Sequence, residues 1–154
     1  MILIAHRGNV AGIDRKKENN PIYLDKALSL GYDIEIDIWE KEGKLFLGHD
    51  QPDYEIDEKW ILERKNESWI HCKNIQAVHF MLHLSENLES CLNYFWHQED
   101  DYTLTSRGFI WAYPGKHLYD GSHTVCVMPE RANYDKREIN SCYGICSDYV
   151  EDYR

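Results

Sequence analysis

The segment Gly31-Tyr32-Asp33-Ile34-Glu35-Ile36-Asp37-Ile38 alternates strictly from Asp33 onward. Successive side chains of a strand point to opposite faces, so Ile34, Ile36 and Ile38 share one face and Asp33, Glu35 and Asp37 the other. Three isoleucines in register mark a central strand with its apolar face against a core. Glu35 and Asp37 then point the same way, and their repulsion demands a cation, a proton or a basic neighbour. A divalent metal meets that demand best. A solvated strand face is the plain alternative for any lone pair of this kind, and the isoleucines opposite argue against it.

Upstream, Ile2-Leu3-Ile4-Ala5 is an apolar run that stops at His6-Arg7-Gly8, as a buried strand running into a loop does. Residues 21–30 carry Ile22, Leu24, Ala27, Leu28 and Leu30 at near-helical spacing, with Pro21 suited to a first turn and Gly31 to a stop. Downstream, Leu45-Phe46-Leu47 leads into Gly48-His49-Asp50. A helix is predicted over 57–64, a strand over 69–73, and a further helix capped by Asn74 with Ile75, Val78, Met81 and Leu82 as apolar positions. Short strands at 93–96, 109–112, 124–127 and 145–147 and a helix over 133–140 complete the pattern. Strands alternating with helices argue for a parallel α/β arrangement, and seven or so short strands suffice to close a barrel.

The chain has 154 residues, with 43% hydrophobic and 13% aromatic composition, and this places it among globular single domains spanning 1–154. Its net charge of −10 disfavours binding to nucleic acid or an anionic membrane, both of which need a positive surface. No apolar run approaches the length of a membrane span, and the first residues lack the basic flank of a secretory signal, so stable membrane insertion is not expected and a cytoplasmic protein is. Cys72, Cys91, Cys126, Cys142 and Cys146 form no CxxC pair and are read as reduced, mostly buried thiols.

His6 and His49 flank the acidic strand in sequence, and two imidazoles can divide acid and base roles near neutral pH. On the strand over 69–73, alternation puts His71 and Lys73 on one face. The stripe Phe109, Trp111 and Tyr113 either packs in a core or lets Trp111 and Tyr113 wall a substrate pocket. His79 and His83 are i,i+4 without the acidic residue of an HExxH pattern and read as a solvated helix face, and His97 opens an acidic loop read as exposed.

Ala5-His6-Arg7-Gly8, Glu18-Asn19, residues 31–38 and Leu47-Gly48-His49-Asp50 together resemble the glycerophosphodiester phosphodiesterases of the phospholipase-C-like phosphodiesterase superfamily, in that family's order and near its spacing. A weaker likeness continues at residues 70–73 and 145–149. The resemblance implies an α/β fold, a minimal TIM-type (β/α) barrel whose outer helices are in several places shortened or missing, because such barrels usually run to about 250 residues. Uncovered strand faces are a reason to expect a homo-oligomer.

The resemblance further implies that His6 and His49 are the acid/base pair and that Glu35 and Asp37 hold a divalent metal. Arg7 and Lys73 would hold the phosphate of a small-molecule phosphodiester, with Glu18, Asn19 and Asp50 in support. The family has a glutamate where this chain has His71. Mg²⁺ or Ca²⁺ suits the carboxylates, and His71 as a third ligand tilts preference toward Mn²⁺ or Zn²⁺; His71 bonded to Glu35 or Asp37 without metal is the other reading. The implied activity is metal-dependent hydrolysis of a glycerophosphodiester-like substrate. A non-catalytic, degenerate barrel that binds a phosphorylated ligand is the alternative.

Overall fold

A computed structural model describes residues 1–86, 92–119 and 121–154. The elements in chain order are β1 (Ile2–His6), α1 (Pro21–Ser29), β2 (Asp33–Lys41), β3 (Lys44–Leu47), β4 (Tyr54–Ile56), α2 (Glu58–Glu63), β5 (Ser68–Cys72), α3 (Ile75–Glu86), β6 (Tyr94–Phe95), β7 (Tyr102–Leu104), β8 (Ile110–Ala112), β9 (Thr124–Val127), α4 (Lys136–Ser141) and β10 (Gly144–Ser147). Parallel pairing runs β6-β5-β2-β1-β10-β9-β8, while β3, β4 and β7 add antiparallel extensions.

The expected TIM-type barrel is not what the chain builds. The described residues form a curled, mixed sheet of ten strands with only four short helices, a half-barrel rather than an alternating β/α ring. Its parallel edges β6 and β8 are not paired as strands. They are bridged by the Phe95–Trp111 ring contact at 4.9 Å and by Ser106, whose N–H donates to Tyr94 O at 2.8 Å. Among the described residues no α-helix lies between β6 and β8 or between β8 and β9. Small side chains explain why none is needed there: Ala112 and Cys126 present a shallow outer face that Leu118, Cys142 and Tyr134 cover.

Elsewhere the predicted elements form close to their expected places. Ile34, Ile36 and Ile38 are fully buried against α1 and α3 with Leu24, Ala27, Ala77 and Met81. Inside the curl, Ile4, Trp69, Phe95, Trp111, Val125, Val127 and Cys146 fill the space beneath the acidic face. Asn20 caps α1 by accepting from Ile22 N at 2.9 Å, and Asn74 Oδ1 accepts from Ala77 N at 3.1 Å at the start of α3. Glu42 and Gly43 both have positive φ, the conformation of a two-residue hairpin turn, and this folds β3 back on β2. The edge strands β4 and β7 were not expected, because three residues of mixed character carry no readable period.

Cys72, Cys126, Cys142 and Cys146 are free and buried, and Cys91 lies outside the described residues. Among the described residues no helix is long and apolar enough to cross a membrane.

Asp33 opens the acidic face of β2 and accepts the Trp69 indole N–H at 3.0 Å. Burial pushes its carboxyl up to about 6 against that hydrogen bond. A raised carboxyl contributes stability that is fully present below its ordinary value of ~3.9 and is lost as pH rises through about 6. Asp33→Asn removes this loss, so between about pH 5 and pH 7.5 the variant gains on the order of 1–2 kcal/mol relative to the wild type. Urea unfolding at the two pH values measures it, and parallel pH dependences would rule it out.

Candidate functional site

The parallel strands all end at one rim of the curled sheet, and strand register decides which side chains meet there. His6 at the end of β1 is level with Glu35 on β2, and Asp37 is level with His71 on β5. The chain leaves β1 through Arg7 at φ 53° and Gly8 at φ 87°. A Cβ on Gly8 would lie 2.9 Å from Tyr23 Cδ1, so glycine lets this exit pack against α1. Among the described residues, three of the four non-glycine positions with positive φ, Arg7, Asn19 and Met128, sit at this rim or directly beneath it.

Asp37 is fully buried and is the most heavily partnered carboxylate of the rim. Asn19 grips it twice, donating to Oδ2 from Nδ2 at 2.9 Å and accepting from Asp37 N at 2.9 Å. Arg7 Nε lies 3.0 Å from Oδ2, His71 Nδ1 3.0 Å and Lys73 Nζ 3.3 Å from Oδ1. Burial alone would raise its carboxyl, but the His71 hydrogen bond and the charges of Arg7, Lys73 and His71 hold it far below the usual range.

Glu35 is the opposite case. Burial, then repulsion from Asp37, pushes its carboxyl up against the pull of His6, Arg7 and His71. Among the described residues its side chain accepts only the Arg7 backbone N–H at 3.3 Å, with His6 Nε2 at 3.8 Å and His71 Nδ1 at 3.9 Å. Glu35 is therefore the buried carboxylate with charge left to neutralise. One ligand atom each from Glu35, Asp37 and His71 lie within 4.8 Å of one another, so this group could hold a metal ion. Two carboxylate oxygens and an imidazole nitrogen are a donor set that fits a divalent cation.

Like His71 with Asp37, His6 and His49 each have a carboxylate on Nδ1. His6 Nδ1 lies 2.6 Å from Asp148 Oδ1, and His49 Nδ1 lies 2.6 Å from Asp50 Oδ1. Burial would raise Asp148, yet the His6 and Asn9 hydrogen bonds and Arg131 hold it down at about 2, so it is ionised and accepts from Nδ1–H. That leaves Nε2 of His6 facing the rim. His49 is 38% exposed at its side chain and its partner Asp50 92%, a looser pair than buried His6–Asp148. Burial, with Arg7 and Lys73, pushes the His49 imidazole down despite Asp37 and Asp50.

The turn that delivers His49 is held at both sides. Trp39 Nε1–H donates to Gly48 O at 2.7 Å, and Gly48 adopts φ 149°. A Cβ there would lie 2.1 Å from the Gln51 backbone oxygen. Gly48→Ala is therefore expected to displace the turn, lowering stability by on the order of 2 kcal/mol and activity at least tenfold. Thermal melts and turnover read both effects, and an unchanged variant would show that the turn yields freely.

The remaining predicted residues fall around this group. Arg7 Nη1 donates to Glu18 Oε2 at 3.2 Å, and Glu18 Oε1 accepts from Asn9 at 3.1 Å, so Glu18 braces the arginine. Trp111 and Tyr113 both wall a cleft at the rim, and Trp111 also belongs to the interior cluster. His97, read from sequence as part of an exposed loop, instead turns inward. It stacks on His71 with centroids 4.8 Å apart and meets Tyr113 at 4.2 Å, because β6 ends beside β5. Burial, with His71 and Lys73, pushes its imidazole down to about 4. His79 and His83 lie on α3 away from the rim, their rings 6.5 Å apart.

Sequence reasoning missed Asp148, Asn9 and Arg131. Asp148 follows the strand at 145–147 as His6 follows the first apolar run, the only signal that could have found it. Its pairing with His6 depends on β1 lying beside β10, where Ala5 is level with Ser147. Comparison of the chain with protein-family models, curated proteins and solved structures finds no match, and the reading of the site therefore rests on its own geometry and chemistry.

Proposed function

We propose that this protein is a metal-dependent hydrolase of small, glycerophosphodiester-like phosphodiesters, related in its chemistry to the family its motifs resemble. The observation that carries the reading is the pair of histidine–carboxylate couples, His6–Asp148 and His49–Asp50, set around a buried acidic group with Arg7 and Lys73 beside it. A pure binding pocket has no use for two imidazoles oriented alike.

Arg7 and Lys73 bind the phosphoryl oxygens and stabilise the negative charge that grows on them. Glu35, Asp37 and His71 would hold a divalent ion, which when bound supplies further positive charge at the phosphate. Mg²⁺ and Ca²⁺ suit the carboxylates, and the imidazole widens the choice to Mn²⁺ and Zn²⁺. His49, whose imidazole is biased toward its neutral form, accepts a proton from the attacking water. As the bond from that oxygen to phosphorus forms and the ester bond breaks, His6 Nε2–H protonates the departing alkoxide. Asp148 keeps the His6 ring oriented through its Nδ1–H.

A second reading rests on Asp37. With Arg7, Lys73 and His71 around it, its charge is compensated by the chain's own cations. A protein that only binds a phosphorylated ligand needs no more. Purified protein incubated with glycerophosphocholine, glycerophosphoethanolamine and bis-p-nitrophenyl phosphate, in Mg²⁺, Ca²⁺, Mn²⁺, Zn²⁺ or chelator, separates the two. Turnover abolished by chelator is the expected result. Absence of turnover in every metal, with phosphodiesters still raising the melting temperature, would replace the hydrolase by the binder.

A further inference from the structure

Two clefts meet at the rim and share His6, Arg7 and His49. One, of about 470 Å³, is polar and holds Arg15, Glu18, Asp50 and Arg131. The other, of about 400 Å³, is walled by Trp96, His97, Trp111, Tyr113 and Met128, with Lys73 at its base. A phosphodiester has two alcohol arms. With its phosphate at the shared residues, each cleft receives one arm.

Trp96 singles out the chemistry of the second arm. The chain has five tryptophans. Trp39 donates to Gly48, Trp60 lies under Arg64, Trp69 donates to Asp33 and stacks on neighbouring rings, and Trp111 packs on Trp69 and Phe95. Trp96 alone, 44% exposed at the cleft, has neither a ring contact nor an indole hydrogen bond among the described residues. A large amphipathic ring left open at the mouth of a cleft offers a face on which a planar group can stack.

A second observation in the same cleft agrees. Tyr113 Oη and His97 Nδ1 are buried and without hydrogen-bond partners. Buried polar atoms almost always find partners, and leaving one unmet costs about 1–3 kcal/mol. An aliphatic arm would leave the Trp96 face unused, and a cationic arm would meet Lys73 and Arg7. A plain hydrocarbon ring would offer the orphaned atoms nothing. An uncharged heteroaromatic ring, with donors and acceptors on its edge, suits all three features.

We infer that the aromatic cleft selects a nucleoside-type arm, its base stacked on Trp96 and its edge toward Tyr113 and His97, so that the preferred substrates are small nucleoside phosphodiesters. This deepens the hydrolase reading and rests on it for the placement of the phosphate. The chain's charge of −10 keeps the preference to single nucleotides rather than a polymer.

The test uses two probes of equal charge, adenosine 5′-(methyl phosphate) and glycerol 3-(methyl phosphate), in Mg²⁺. Affinity is read by rapid fluorescence titration and product by chromatography of the same samples. The nucleoside probe is expected to bind about tenfold more tightly, within the range a stacked base supplies. Trp96→Ala should erase that difference while leaving glycerol-probe affinity and melting temperature unchanged, and Tyr113→Phe should weaken the nucleoside probe alone. Equal affinities, equal weakening of both probes in Trp96→Ala, or binding of neither would overturn the inference. Turnover of both probes without preference would retain the hydrolase and discard the nucleoside arm. Trp96-dependent nucleoside binding without turnover would uphold the arm and discard hydrolysis.

Discussion

His6→Ala is expected to lower kcat for bis-p-nitrophenyl phosphate by about 10²–10⁴-fold, the range a positioned acid or base supplies, with little change in KM. The ring is nearly buried, its Nδ1 is tied to Asp148 at 2.6 Å, and its Nε2 is the nitrogen left facing the rim. Alanine removes the proton donor without stranding its neighbour. Asp148 still accepts from Asn9 Nδ2 at 2.9 Å and from Arg131 at 3.0 Å, so the folded state survives. Asp148→Asn should lose less, because the ring stays but its orientation is no longer enforced. Turnover is to be compared with circular dichroism and melting temperature on the same samples. A His6→Ala protein of full activity would end the assignment of His6.

Asp37→Asn is expected to cost the most stability, about 3 kcal/mol, because removing one member of a buried ion cluster leaves a partner uncompensated. Arg7 retains Glu18 and His71 keeps Glu35 Oε1 at 3.9 Å, but Lys73 loses its contact carboxylate. The sign of the pH dependence follows from the depressed carboxyl: its contribution is present above the ordinary value of ~3.9 and is lost as pH falls toward the lower folded value. The gap between wild type and variant, read by urea unfolding, should therefore be widest near neutral pH and narrow on acidification. Divalent cations should raise the melting temperature of the wild type and not of the variant. Equal stabilities at neutral pH would mean that the cations around Asp37 find other partners at no cost.

The acidic strand and its two faces were legible because both depend on a local period. Alternation of isoleucine with carboxylate over residues 33–38 specifies a buried strand with one charged face, whatever surrounds it. The strand exits at His6-Arg7-Gly8 and Gly48-His49 were legible for a related reason, since apolar runs that stop at glycine mark strand ends. His71 and Lys73 share a face by the same alternation, and both reach Asp37.

The curl of the sheet had no such local signal. A pattern of short strands is compatible with a closed (β/α) ring, and the absence, among the described residues, of an α-helix between β8 and β9 follows from how Ala112, Cys126 and Leu118 pack in three dimensions. His6 and Asp148 stand 142 residues apart, and only the parallel pairing of the first strand with the last brings them together. The inward turn of His97 comes from the pairing of two-residue β6 with β5, and local charge around it pointed the other way. The amino-acid order thus specified which strand carries the acidic pair and which residues stand at strand ends, because side-chain period and chain breakage are short-range properties. Which of those residues touch, and whether the sheet closes, was set by strand register and side-chain volume across the whole chain, quantities that no short window of sequence contains.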